Sequence, residues 1–141
     1  DIVAHIQNPR PHIKLTATMD YSNQFCLNTV MCFSSISNLS NEFLLALINS
    51  KFLSFYYYYF IFNQAIRTMH FMPGYSDILP IPDNAISFNE KISNLVMDIL
   101  KTKESEPTTD TSALESEIDH MVYELYGLTE EEIKIVEGRN E

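Results

Sequence analysis

Seven polar residues in the first half of the chain are of the types that contact nucleic acid. Arg10, His12 and Lys14 alternate with apolar positions, and Asn63, Gln64, Arg67 and His70 follow a long aromatic run. Arginine, asparagine and glutamine can pair two-pronged with guanine or adenine edges, whereas lysine more often meets phosphate. Arg10 and Arg67 therefore rank above the other five as base readers. The plainer reading of each residue is that it solvates a sheet face or a loop.

Other chemistries lack their residues. His5, His12, His70 and His120 have no metal spacing among themselves or with carboxylates. Gly74, Gly127 and Gly138 are the only glycines, too few and too scattered for a phosphate-cradling loop. Pro82-Asp83 and the later Glu132-Ile-Lys134 imitate the acidic pattern of metal-dependent nucleases, but they lie far apart and Glu132 has a simpler use as a helix cap. Cys26 and Cys32 stand six apart in an apolar run, which reads as two reduced core cysteines, with a bridge as the alternative. No active site, metal or cofactor is expected in this chain, and a binding or positioning role is the default.

The net charge of −10 argues against phosphate contacts until its distribution is seen. Up to Pro82, Asp1, Asp20, Glu42 and Asp77 balance Arg10, Lys14, Lys51 and Arg67. From Asp83 onward 15 acids face 5 bases, which is the whole of the −10. A surface for double-stranded DNA therefore belongs to residues 1–82, and residues 83–141 form an acidic second part. The chain opens on Asp1 with no charged-then-apolar leader, so the expectation is a cytoplasmic fragment of a longer protein.

The element that must position these residues is Ser40–Phe62, read as one buried helix. Ser40 or Asn41 caps it, and Leu44, Leu45, Ile48, Phe52, Phe55, Tyr56 and Tyr59 recur at helical spacing. Its length would suit a bilayer, but Asn49, Ser50, Lys51 and Ser54 interrupt the run, so no membrane span is expected. Tyr56 to Tyr59 read as core residues with their hydroxyls bonded at the edge, in preference to a base-stacking platform.

Around it, Asp1–Gln7 reads as a short strand, His12–Thr18 as a half-buried one, and Phe25–Phe33 as its hairpin partner. Ala65–Met72 is expected to be extended, and Asp77–Pro82 to be a rigid exit. Ser87-Phe-Asn-Glu90, Ser112-Ala-Leu-Glu115 and Thr129-Glu-Glu-Glu132 each read as a capping box opening a helix. Glu104–Thr111 reads as a solvated connector open to proteolysis. The fold class expected is α+β, with a small sheet packed on the buried central helix, then an antiparallel helical hairpin and a short C-terminal helix.

Three stretches in this order, Leu44-Leu-Ala-Leu-Ile-Asn-Ser-Lys-Phe52, Leu79-Pro-Ile-Pro82 and Ile118-Asp-His-Met-Val-Tyr-Glu-Leu-Tyr-Gly-Leu-Thr-Glu-Glu-Glu-Ile133, resemble the C-terminal specificity region of bacterial restriction-modification adenine-specific DNA methyltransferases. The Taq-like and type IIG enzymes are included, and the specificity subunits of type I systems are related. The resemblance implies a target recognition domain followed by a helical spacer. It further implies a parent that is a type II restriction enzyme of IIG or IIS-like kind, with the methyltransferase, and in fused enzymes an endonuclease, encoded upstream. S-adenosylmethionine, and magnesium for a fused nuclease, would be cofactors of that parent only. The catalytic Asn/Asp-Pro-Pro-Tyr signature is absent here, since Asn8-Pro9-Arg10 is no version of it, as is the methyl-donor loop. Implied partners are double-stranded DNA, the upstream methyltransferase domain and, through the helices, a second copy. The competing reading is a protein-interaction scaffold whose helical hairpin docks a partner subunit without reading DNA.

Overall fold

The structure, a computed structural model, describes residues 2–6, 11–22, 30–32, 34–35, 38–65, 69–70 and 73–138. Among the described residues, three short strands, β1 (Ile2–Ile6), β2 (His12–Lys14) and β3 (Met69–His70), accompany six helices. These are α1 (Asn41–Asn49), α2 (Lys51–Tyr56), α3 (Pro73–Ser76), α4 (Ala85–Ser105), α5 (Ser112–Leu125) and α6 (Glu130–Glu137), with a π-helical turn at Tyr57–Ile61 continuing α2.

The expected α+β class is wrong: the fold is mostly helical. Among the described residues no sheet forms a layer of the architecture. The strands meet only in short antiparallel ladders, Ala4 to Ile6 against Lys14 to His12, and Ile2 and Val3 against His70 and Met69. From Leu15 the chain leaves the ladder, so the strand expected to reach Thr18 stops at Lys14. The Leu15 amide turns to the Ser54 hydroxyl at 3.1 Å instead of to another strand. The hairpin partner expected at Phe25–Phe33 falls largely outside the described residues. Cys26 does too, while Cys32 is exposed rather than in the core.

The central helix is also not continuous. Ser50 adopts an extended backbone, φ −69° and ψ 151°, and ends α1 while capping α2, its hydroxyl accepting from the Leu53 amide. The break resets the helical phase. Before it Phe43, Leu44, Ala46, Leu47 and Ile48 are buried; after it Leu53, Tyr57, Tyr58 and Phe62 are. The expected stripe of Phe52, Phe55, Tyr56 and Tyr59 is displaced to half-buried positions, because it assumed an unbroken period. In the π-helical turn the Phe62 amide reaches the Tyr57 carbonyl at 2.8 Å, an i to i−5 bond.

α4 lies against both α1 and α5. Its Asn89 accepts from the Ser40 amide at 2.8 Å and its Ser93 hydroxyl meets that of Ser40 at 2.6 Å, so α4 fixes the start of α1. Two of the three expected capping boxes do not form. α4 begins before Ser87, whose hydroxyl donates to the Asn84 carbonyl, and its first turn has no side-chain cap. α5 is preceded by Thr111, whose hydroxyl donates to the Glu115 carboxylate instead of capping a helix amide. Thr129 and Glu132 do form a reciprocal box at α6. The connector is shorter than expected, since α4 runs to Ser105, and the Lys103 ammonium holds the Thr109 carbonyl at 2.7 Å. A single core cluster joins Ile13 and Leu15, α1, α2, α4 and α5. Among the described residues no helix is long and apolar enough to cross a membrane.

Candidate functional site

Of the seven candidate contact residues, four have described side chains. His12 and Lys14 sit on β2, Lys14 exposed and His12 half-buried, while Asn63 and Gln64 are exposed at the turn that ends the π-helical segment. Both turn residues lie in the left-handed region, φ 47° and 57°. Asparagine tolerates it; glutamine does so less readily. The Gln64 amide bonds the Tyr58 carbonyl at 2.8 Å, which closes the aromatic run. His70 is described by its backbone, as the register partner of Ile2 in the β1–β3 ladder, while in the β1–β2 ladder Lys14 partners Ala4 and His12 partners Ile6. The two short ladders thus place positions 12, 14 and 70 opposite alternate residues of β1. Arg10 and Arg67, ranked first in the sequence, lie outside the described residues.

The polar residues that interrupt the central helix carry geometry the sequence reading did not assign to them. Asn49 clamps the extended chain after β2: its carboxamide oxygen accepts from the Ala17 amide and its nitrogen donates to the Ala17 carbonyl, both at 3.1 Å. Ser50 is the cap between the two helices. Lys51 reaches across to the second part of the chain, its ammonium 3.2 Å from Asp119 on α5 and 3.4 Å from Glu137 on α6. The Lys51 backbone amide also donates to Asp119 at 3.0 Å, so this carboxylate serves the N-terminus of α2 as well, where the helix dipole favours it. Burial pulls the Lys51 ammonium down, but the Asp119 and Glu137 carboxylates outweigh it and hold its pKa above the usual lysine value. The signal was present in the sequence as a polar triplet, Asn49-Ser50-Lys51, in the middle of an apolar run.

A second tie joins the remaining stretches. Tyr126, just past α5, places its ring 4.3 Å from that of Phe52, and its hydroxyl donates to the Pro80 carbonyl at 2.6 Å. The Tyr57 hydroxyl donates to the Tyr75 carbonyl. Burial pushes the Tyr57 phenol up to about 12, and burial with the neighbouring Tyr57 and Tyr56 raises Tyr126 as well. Both hydroxyls donate to backbone carbonyls.

Between the 11–18 segment and the helices lies a half-open cavity of about 600 Å³, lined by Leu45, Ile99, Leu100 and Ile118 and by Val136 and Glu137 of α6. Lys14 and Lys51 also line it. Among the described residues no cluster of three or more histidine, cysteine, aspartate or glutamate side chains could hold a metal ion. No family model, no curated protein and no solved structure matches this chain.

Proposed function

We propose that the chain is the C-terminal DNA-sequence-recognition fragment of a bacterial restriction-modification enzyme whose adenine-specific methyltransferase is encoded upstream. The observation that carries this reading is the meeting of the three stretches in which the sequence resembles that family. Lys51 of the first ion-pairs with Asp119 of the third, Phe52 stacks on Tyr126, and Tyr126 bonds Pro80 of the second. A pattern of residues separated by up to 74 positions that closes into one set of contacts is what a family framework requires. On this reading the motifs hold a platform, and the reading residues vary around it.

The charge distribution supports the same assignment. Lys51 is committed to two carboxylates, so Arg10, Lys14 and Arg67 carry the positive charge that residues 1–82 offer to phosphate and bases. The acidic outer faces of α5 and α6 would repel a phosphate backbone, which suits them to spacing rather than reading. S-adenosylmethionine and magnesium belong, on this reading, to the parent.

The scaffold reading is favoured by one observation. Ile86 on α4 is 57% exposed and Phe60, at the end of the π-helical turn, is 68% exposed, and these are apolar side chains that a docked partner would cover. Fluorescence anisotropy of a random labelled duplex titrated with the chain at low salt separates the two. Binding with an affinity that falls log-linearly with salt supports the recognition reading. Absence of binding at low salt supports the scaffold.

A further inference from the structure

The cavity beside the 11–18 segment is apolar surface that the fold leaves partly uncovered. Leu45, Tyr59, Ile99 and Leu100 pack against the core and line the cavity, yet they are only half-buried. Buried Ile118 lines it too. The segment is held to the helices by polar ties, the Leu15 amide on Ser54 and both backbone groups of Ala17 on Asn49. Its attachment therefore does not depend on filling the space beside it. At about 600 Å³ the cavity has the size of a small-molecule site.

Two polar groups of the lining lack a partner. Ser54 is 7% exposed and its hydroxyl oxygen accepts from the Leu15 amide, but among the described residues nothing accepts the hydroxyl proton. A buried donor without an acceptor is costly, and the cavity is where an acceptor can reach it. Lys14 is the second: it is exposed, and among the described residues no carboxylate pairs with its ammonium. The two are neighbours, because the amide that Ser54 holds at 3.1 Å is the peptide link between Lys14 and Leu15. The other ionised groups of the lining are engaged. Lys51 pairs with Asp119 and Glu137, and Glu115 accepts from the Thr111 hydroxyl. An acceptor that also carries negative charge would satisfy both, through a charge-assisted hydrogen bond from the serine and an ion pair with the lysine.

We propose that this cavity binds a small amphipathic carboxylate. The hydrocarbon chain lies against Leu45, Ile99, Leu100 and Ile118, and the carboxylate meets the Ser54 hydroxyl and the Lys14 ammonium. The proposal is independent of DNA recognition, and its test contains no DNA. In methyl NMR spectra of the full chain, octanoate should shift the signals of Leu45, Ile99, Leu100 and Ile118 along one saturable curve and give intermolecular nuclear Overhauser effects to them. Octanol, which has the same chain without the charge, should bind about threefold to tenfold more weakly. Lys14→Glu, at an exposed position, should weaken octanoate by about tenfold and leave octanol unchanged. Absence of a saturable shift, Overhauser effects confined to other surfaces such as Phe60 or Ile86, or octanol binding as tightly as octanoate would each overturn the proposal. Wild-type affinity for octanoate in Lys14→Glu would overturn it as well. The location is decided on the wild-type chain, so a folding defect in a variant cannot stand in for a negative result.

Discussion

The hydroxyl of Tyr126 donates to the carbonyl of Pro80 at 2.6 Å while its ring lies 4.3 Å from that of Phe52. One side chain thus ties the end of α5 to both the exit segment and the start of α2. The two contacts can be separated. Tyr126→Phe keeps the ring and loses the hydrogen bond, which should cost about 0.5 to 1.5 kcal/mol in urea denaturation. Tyr126→Ala loses the ring as well and should cost about 3 to 5 kcal/mol, as truncation of a packed aromatic does. Equal losses for the two variants would mean that the ring contact contributes nothing.

Stability should fall on the alkaline side. A phenol whose folded pKa lies above its unfolded value near 10 contributes stability that is fully present below pH ~10 and disappears as pH rises through the folded value. For Tyr57 that upper value is about 12, and Tyr126 is shifted in the same direction. The Lys51 ammonium, also raised, contributes stability present below its ordinary value of 10.5 and lost above it, so all three groups act with one sign. The urea midpoint should therefore drop between pH ~10 and pH ~12, and Tyr57→Phe should make the drop shallower. A midpoint independent of pH over that window would show that the buried phenols do not limit the fold.

The helices of the second part were legible because capping residues and apolar stripes act locally. Even where the expected box at Ser112 does not form, the helix it was to open stays in place. The first part was less legible, because its outcome depends on distant partners. Nothing near Leu15 in sequence announces that its amide will leave a strand for the hydroxyl of Ser54, 39 positions away. A serine within a helical run gives no local reason to prefer a break, yet Ser50 breaks the helix where Asn49 and Lys51 are both engaged elsewhere. For the candidate contact residues, side-chain type was readable and placement was not. His12 and Lys14 fall on β2 as expected, but Asn63 and Gln64 occupy a left-handed turn whose position is set by the π-helical segment before it.

The Ser54 contact gives a sharp stability prediction. Ser54 and Leu15 are both buried, so Ser54→Ala leaves the Leu15 amide without its partner. A buried donor left unsatisfied costs about 1 to 3 kcal/mol. Ser54→Cys, which keeps only a weak acceptor, should fall between wild type and alanine in thermal or urea melts. A Ser54→Ala variant as stable as wild type would show that the amide finds another acceptor or water.

Lys14 offers the most direct check of the proposed recognition role, because it is exposed and its ladder position is described, in register with Ala4 of β1. If it meets phosphate, Lys14→Ala should weaken all duplex sequences alike. The slope of log affinity against log salt should also become shallower by about 1. Arginine contacts behave differently: Arg67→Ala in the parent enzyme should cost about 1 to 3 kcal/mol on the cognate site and relax preference at one base. Reversing Glu115, Glu117 and Glu124, all exposed on α5, to lysine should raise nonspecific affinity and leave the recognised sequence unchanged, since that face spaces rather than reads. A changed recognition sequence in the triple variant would move the reading surface to the helices. Wild-type affinity, salt slope and site preference after alanine replacement of Arg10, His12, Lys14, Asn63, Gln64, Arg67 and His70 together would remove residues 1–82 from DNA and leave the scaffold reading in its place.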